Sequence, residues 1–332
     1  MSILAAYIVP HPPLIVPTVG RGQERKIQAT IDACETVARA IRDLAPETVV
    51  VATPHGVNYR DYIHISPGAS ARGDLRRFGD TETRVSVEYD RELAGEIARA
   101  AERNGVPAGT LGENDKTLDH ATLVPLWFLQ RECKEFQLVR ISVSGLSGAE
   151  HYALGKCVAE AAETLGRRTV FIASGDLSHR LSDQGPYDYA VEGPVFDKQV
   201  TEAMAAGDLQ AFLRFPEEFC EAAGECGLRS FQILAGALDG QAVEPSLLSY
   251  EGPFGVGYAV AAFPVTGGRV DEDPNDPYVQ LARQSLEAYV KRRERFHRPD
   301  GLPADLTGER AGVFVSLKKH GQLRGCIGTI EP

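Results

Sequence analysis

Apolar residues along this chain fall into two rhythms that alternate. Short unbroken runs, Leu4 to Val9, Thr48 to Ala52, Gln137 to Val143, Thr169 to Ala173 and Tyr258 to Phe263, are rich in Val, Ile and aromatic residues. Such runs predict strands buried on both faces. Between them Ile27, Ile31, Cys34, Ala38 and Ile41, and then Leu93, Ile97 and Ala101 behind an Asp90 cap, recur every three or four residues and predict helices. Tyr62 to Ile65 and Arg84 to Val87 alternate as exposed strands do, and the Gly- and Arg-rich stretch Pro67 to Gly79 between them reads as a surface loop. The alternation predicts an α/β domain with a central, mostly buried sheet flanked by helices.

The pattern changes after Pro264. Residues 266–275 are polar and rich in turn formers, as a linker is. Val279, Leu281, Ala282, Leu286, Ala288, Tyr289 and Val290 then outline an amphipathic helix, followed by a Pro-rich loop and the strand-like Gly312 to Leu317. The chain is thus expected to divide into residues 1–265, the linker, and a second unit over residues 276–332. One helix and two strand-like runs bury too little apolar surface to offset chain entropy, so the second unit is expected to depend on the first or on further sequence.

Composition narrows the function. With 43% hydrophobic and 24% charged residues over 332 positions, a sizeable core is expected. Thirty-five Lys and Arg against 46 Asp and Glu leave a net charge of -11 without a basic stripe, which argues against nucleic acid as a partner. The N-terminus has no basic segment and its apolar stretch is broken by Pro10, Pro12 and Pro13, so no signal peptide is expected. No run reaches the ~18 apolar residues of a membrane helix. The six cysteines, Cys34, Cys133, Cys157, Cys220, Cys226 and Cys326, lack CxxC spacing. A reduced, cytoplasmic protein away from membranes is the expectation.

Three histidines stand just beyond predicted strands: His11 after Val9, His55 after the run through Ala52, and His179 after the run through Ala173. In an open α/β sheet, ligands and reacting groups gather at the carboxyl ends of the strands. Any one of these is more often a satisfied loop residue, but three strand ends delivering histidine predict one shared site. His120 follows Asp119, which either orients its ring or simply caps a helix. His64, His151, His297 and His320 read as structural or solvated. Two histidines hold a transition metal loosely, and Glu225 and Cys226, between Gly224 and Gly227, offer a carboxylate and a thiol side by side. The plainer reading of that segment is a helix-to-helix connection with a solvated Glu and a packed Cys.

As a set, Pro10-His11-Pro12-Pro13, Thr53-Pro54-His55-Gly56, Asp119-His120 and Ser174-Gly175-Asp176-Leu177-Ser178-His179 resemble, in order and approximate spacing, the class III extradiol ring-cleavage dioxygenases, the superfamily of the protocatechuate 4,5-dioxygenase catalytic subunit. The resemblance spans residues 1 to about 265. It implies Fe(II) held by His11, His55 and Glu225, an acid/base role for His179, a second active-site histidine at His120, and a small catechol-like aromatic substrate cleaved with dioxygen, without an organic cofactor. Two histidines and one carboxylate leave three positions of Fe(II) open, enough for a bidentate catecholate and dioxygen.

The sequence also resembles the Memo family, which shares this fold, through Asp119 to Leu126, Ser174 to His179, and Cys226-Gly227, where that family has a cysteine ligand. Asp276-Pro277-Tyr278, Ala311 to Leu317 and Leu323-Arg324-Gly325-Cys326-Ile327-Gly328-Thr329 resemble the start of an α+β AMMECR-type domain, of which the chain is expected to hold the first part. Cys326, between Gly and Ile in a strand-like run, reads as packed and outside the site. The fusion resembles the AmmeMemoRadiSam system and so implies a radical SAM protein as a partner. Three readings follow: an Fe(II) extradiol dioxygenase; a Memo-like redox or scaffold protein without ring cleavage, with Cys226 as the alternative ligand and Zn or Cu as the alternative ion; and a zinc hydrolase using His11 and His55 to activate water. A homo-oligomer is compatible with each. Cys226 pointing inward with Glu225 outward favours the second, because a thiolate favours softer metals.

Overall fold

The computed structural model describes residues 2–114, 116–185, 187–269, 277–296, 299, 302, 313–319 and 322–329. Most of the expected linker (residues 270–275), Asp276, His297, Gly312 and His320 lie outside the described residues. The chain forms two compact units, residues 1–267 and 268–332.

The first unit is built on a seven-stranded sheet. Its strands are β1 (Ile3–Val9), β2 (Thr48–Thr53), β3 (Gln137–Ser142), β4 (Thr169–Ser174), β5 (Gln241–Val243), β6 (Ser246–Glu251) and β7 (Tyr258–Arg269), in the order β6-β7-β1-β4-β2-β3 with β5 also on β7. Strands β1, β4, β2 and β3 run parallel, while β7 returns antiparallel on β1 and β6 on β7. Val9 pairs with Ser174, Ala52 with Ala173 and Thr53 with Ser142, so the carboxyl ends of the four parallel strands finish at one level.

Both faces of these strands are covered, which is why they read as unbroken apolar runs. Ala6, Ile8, Val50, Ala52, Phe171 and Ala173 pack beneath α2 (Arg91–Arg103), α4 (Gly148–Leu165), α5 (Glu192–Ala206) and α7 (Leu228–Ala237). Ala5, Tyr7, Val49, Val51, Val170 and Ile172 pack on the other face beneath α1 (Gln28–Leu44) and α3 (His120–Glu132). A further helix, α6 (Glu217–Ala223), leads into α7. Asp90 caps α2 as expected, accepting the Leu93 N–H, and Ser147 with Glu150 forms a capping box on α4.

The stretch expected as a loop contains a strand. Ser70–Asp74 pairs antiparallel with Arg84–Glu88, and only Ala71 of its five residues is buried, so no alternation marked it. Of Tyr62 to Ile65, Ile63–His64 pairs with Ala108–Gly109, in parallel, and His64 is buried.

In the second unit α8 (Pro277–Glu287) runs into a π-helical turn over Ala288–Arg292, and β8 (Val313–Lys319) pairs antiparallel with β9 (Gln322–Thr329), Ser316 opposite Cys326. Among the described residues no helix is long and apolar enough to cross a membrane.

Helices α4 and α7 cross at glycines. A Cβ on Gly155 would stand 2.0 Å from the Ile233 carbonyl oxygen, and one on Gly236 would stand 1.9 Å from that of Tyr152. The approach is backbone to backbone, so no side chain can swing aside. Gly95, inside α2, would meet only the far end of Arg99, at 3.6 Å. Gly155→Ala is expected to cost about 1–3 kcal/mol through overpacking, whereas Gly95→Ala should gain roughly 0.5–1 kcal/mol from helix propensity. Chemical-denaturation midpoints of the two variants check this; equal shifts would contradict the packing described.

Candidate metal centre

The level ends of β1, β4 and β2 set His11 and His55 two residues beyond Val9 and Thr53, above the two strands that flank β4. Their rings lie 5.0 Å apart at 88°. His120 joins them, stacked on His55 at 4.6 Å and 19°, and edge-on to His11 at 5.4 Å. His11 is buried, while His55 is exposed at the rim.

His120 and His11 are placed from the backbone outward. Asp119 caps α3: it accepts the Thr122 N–H and hydroxyl at 2.9 and 2.8 Å and the Thr53 hydroxyl at 2.7 Å, with Arg140 3.6 Å away. That carboxylate pins the end of β2 to the start of α3, so it places His120 by fixing the helix rather than by a bond to the ring.

One turn further on, Pro125 sits inside α3. Having no N–H, it leaves the Ala121 carbonyl without its helical donor. The Ser174 hydroxyl, at the end of β4, donates to that carbonyl at 2.6 Å. With its proton so used, the Ser174 oxygen accepts from His11 Nδ1 at 3.0 Å. His11 therefore carries its proton on Nδ1 and turns the lone pair of Nε2 into the site.

Opposite that lone pair is sulfur. Cys226 Sγ lies 3.7 Å from His11 Nε2, and ligand atoms of His11, His55 and Cys226 all fall within 4.8 Å of one another. The loop 224–227 reaches this position by glycine contact, since a Cβ on Gly175 would stand 2.2 Å from the Gly227 Cα. Zinc bonds of about 2.0–2.1 Å to nitrogen and 2.3 Å to sulfur put two tetrahedral ligands about 3.6 Å apart. The donor set thus fits an ion of this kind.

Glu225, expected beside the two histidines, is engaged elsewhere. Its Oε2 accepts the Leu228 N–H at 2.6 Å, at the start of α7. Free N–H groups at a helix start draw an acceptor, and this carboxylate supplies it. The sequence pattern did not reveal Asp176, although it lies within the Ser174 to His179 motif. Its Oδ1 accepts the His11 backbone N–H at 2.8 Å and its Oδ2 lies 3.9 Å from His11 Nε2.

His179 is anchored through Nδ1, which donates to the Gly224 carbonyl at 2.6 Å and leaves Nε2 as an acceptor. Two aromatic rings flank the cluster edge-on: Phe78 at 5.3 Å from His120 and Tyr187 at 5.6 Å from His179.

Electrostatics keep the site uncharged but for its acids. Burial, with His55, His120 and His179 nearby, holds His11 well below the usual imidazole range. Burial lowers His55, against the pull of Asp119, and takes His120 down to about 4. Burial also lowers His179, against its bond to Gly224. The Cys226 thiol is pushed well up by burial and by Asp176 and Glu225, and burial lifts Asp176 and Glu225 to about 7.

Fold and site define a three-layer α/β protein with a candidate metal centre at the carboxyl edge of its sheet. A family model described as the catalytic LigB subunit of aromatic ring-opening dioxygenase matches residues 5–261, and the AMMECR1 family model matches residues 279–332. The chain belongs to the LigB family and carries an AMMECR1 domain behind it. A protein of Clostridium acetobutylicum is 38% identical over 357 aligned residues, covering 100% of this chain and 76% of that protein. The 3,4-dihydroxyphenylacetate 2,3-dioxygenase of Escherichia coli is 26% identical over 227 residues, 64% of this chain and 80% of the enzyme. A MEMO1 family protein of Pyrococcus abyssi is 29% identical over 181 residues, 50% of this chain and 57% of that one.

Two consequences can be measured. The raised thiol must lose its proton to bind a metal while the lowered imidazoles have none to lose above their usual range, so zinc affinity should climb about tenfold per pH unit between roughly pH 7 and pH 8. Ser174→Ala, which releases His11 Nδ1, should weaken zinc binding about 10–100-fold. Competition titrations check both; affinity that is flat with pH, or unchanged in Ser174→Ala, would contradict the arrangement.

Proposed function

We propose that His11, His55 and Cys226 hold a thiophilic ion, Cu(I) or Zn(II), and that the protein acts as a Memo-type metal protein rather than as a ring-cleaving iron dioxygenase. The observation that carries this is the thiol of Cys226 at 3.7 Å from His11 Nε2, with the neighbouring carboxylate of Glu225 given over to α7. A thiolate selects softer ions, and a carboxylate harder ones. When bound, copper supplies one-electron redox chemistry and zinc polarises an oxygen ligand. His179, its Nε2 free, takes a proton from a hydroxyl presented at the site, and His120 braces the exposed ring of His55 by stacking. Similarity to the Pyrococcus abyssi MEMO1 family protein supports the reading, and the AMMECR1 domain supports a radical SAM protein as partner.

A second reading rests on Asp176. Its carboxylate, 3.9 Å from His11 Nε2, offers the oxygen that a two-histidine, one-carboxylate iron site needs. The LigB match then supports extradiol cleavage of a catechol by Fe(II) and dioxygen.

Anaerobic competition among Cu(I), Zn(II) and Fe(II), followed by elemental analysis and an oxygen-uptake screen over catechols, separates the two. About one equivalent of copper or zinc is expected, with no catechol-dependent uptake. His55→Ala should lose the ion and His179→Ala keep it. Retained iron with stoichiometric oxygen uptake and a ring-opened product would establish the second reading instead.

A further inference from the structure

Behind His179 lies a carboxylate with no part in the centre described so far. Asp197, in α5, is 1% exposed. Its Oδ1 accepts the Ser178 backbone N–H at 2.8 Å and its Oδ2 accepts the Tyr250 hydroxyl at 2.7 Å. The backbone around it is shaped to admit it, since a Cβ on Gly257 would stand 1.9 Å from Oδ2.

Ser178 is a junction. Its hydroxyl donates to the Ala223 carbonyl at 2.7 Å and accepts the Arg180 N–H at 2.9 Å, while its carbonyl accepts the Gly257 N–H at 2.8 Å. The next residue, His179, directs both its backbone N–H and its Nδ1 at the Gly224 carbonyl, at 3.2 and 2.6 Å. Ala223 and Gly224 end α6 and open the loop that carries Cys226. Moving Ser178 would therefore displace the histidine and loosen the loop bearing the sulfur in one event.

We infer that Asp197 is a positioning residue: by holding the Ser178 N–H it fixes the tautomer and direction of His179 and steadies the Cys226 loop. The inference rests on the reading of His179 as the proton-accepting group of the proposed centre. A purely structural role is a poor account of it, because burying a carboxylate is costly and an apolar side chain would pack α5 against the sheet at less expense.

Long-range proton–nitrogen NMR of the metal-free full chain at one fixed pH reads the His179 tautomer, and zinc competition reads the loop. The unaltered protein should show a single His179 form protonated on Nδ1. Asp197→Ala should give a tautomer mixture and bind zinc about 10–100-fold more weakly. Asp197→Asn keeps an oxygen for the Ser178 N–H and should restore both. An unchanged tautomer and zinc affinity in Asp197→Ala, with only a lowered Tm, would overturn the inference. If Asp197→Ala does not fold, Ser178→Ala removes the hydroxyl that donates to the Ala223 carbonyl and accepts the Arg180 N–H, and leaves the backbone N–H on Asp197; weaker zinc binding supports the relay and unchanged binding refutes it. Because the tautomer is read without metal, failure of the unaltered chain to bind zinc would count against the proposed centre and leave this result standing.

Discussion

The hydroxyl of Ser174 is the point on which the site turns. It lies at the end of β4, donates to the carbonyl that Pro125 leaves open in α3, and accepts from His11 Nδ1. A strand end, a helix start and a ligand ring are thereby tied through one oxygen. The direction of the His11 lone pair follows from a proline four residues beyond the carbonyl, with no special pleading for the histidine itself. Parallel pairing does the rest: β1, β4 and β2 end level, so groups two residues past the strands meet above the same edge.

Division of labour between Glu225 and Cys226 follows from the same economy of hydrogen bonds. A helix beginning beneath a crowded loop needs an acceptor for its first N–H groups, and the carboxylate satisfies that need while the thiol, poor at it, does not. The sulfur is left facing His11. The chemistry offered by the centre thus depends on which of two adjacent residues a helix terminus claims. That is a local matter, settled by the hydrogen bond from the Leu228 N–H to Glu225.

Much of this was legible in the sequence. The five apolar runs are all strands of one sheet, and the rings of His11 and His55 beyond two of them lie together with that of His120, because strand burial and strand-end position leave direct marks on residue order. Ser70–Asp74 has no signature in the sequence, because a ribbon with one buried residue in five carries no period. The choice between Glu225 and Cys226 was open because it is decided by contacts to Leu228 and His11, one near in sequence and one 215 residues distant. Asp176 lies within the Ser174 to His179 motif, but its hydrogen bond is to the His11 backbone, which no spacing within the motif predicts.

In the centre proposed for this protein the third ligand is the sulfur of Cys226. Cobalt(II) substitution distinguishes sulfur from oxygen, because thiolate bound to cobalt gives an intense sulfur-to-metal charge-transfer band in the near ultraviolet and carboxylate gives none. The band is expected in the unaltered chain and in Glu225→Gln, and should vanish in Cys226→Ser. Cobalt bound without that band, or a spectrum that Cys226→Ser leaves unchanged, would contradict it.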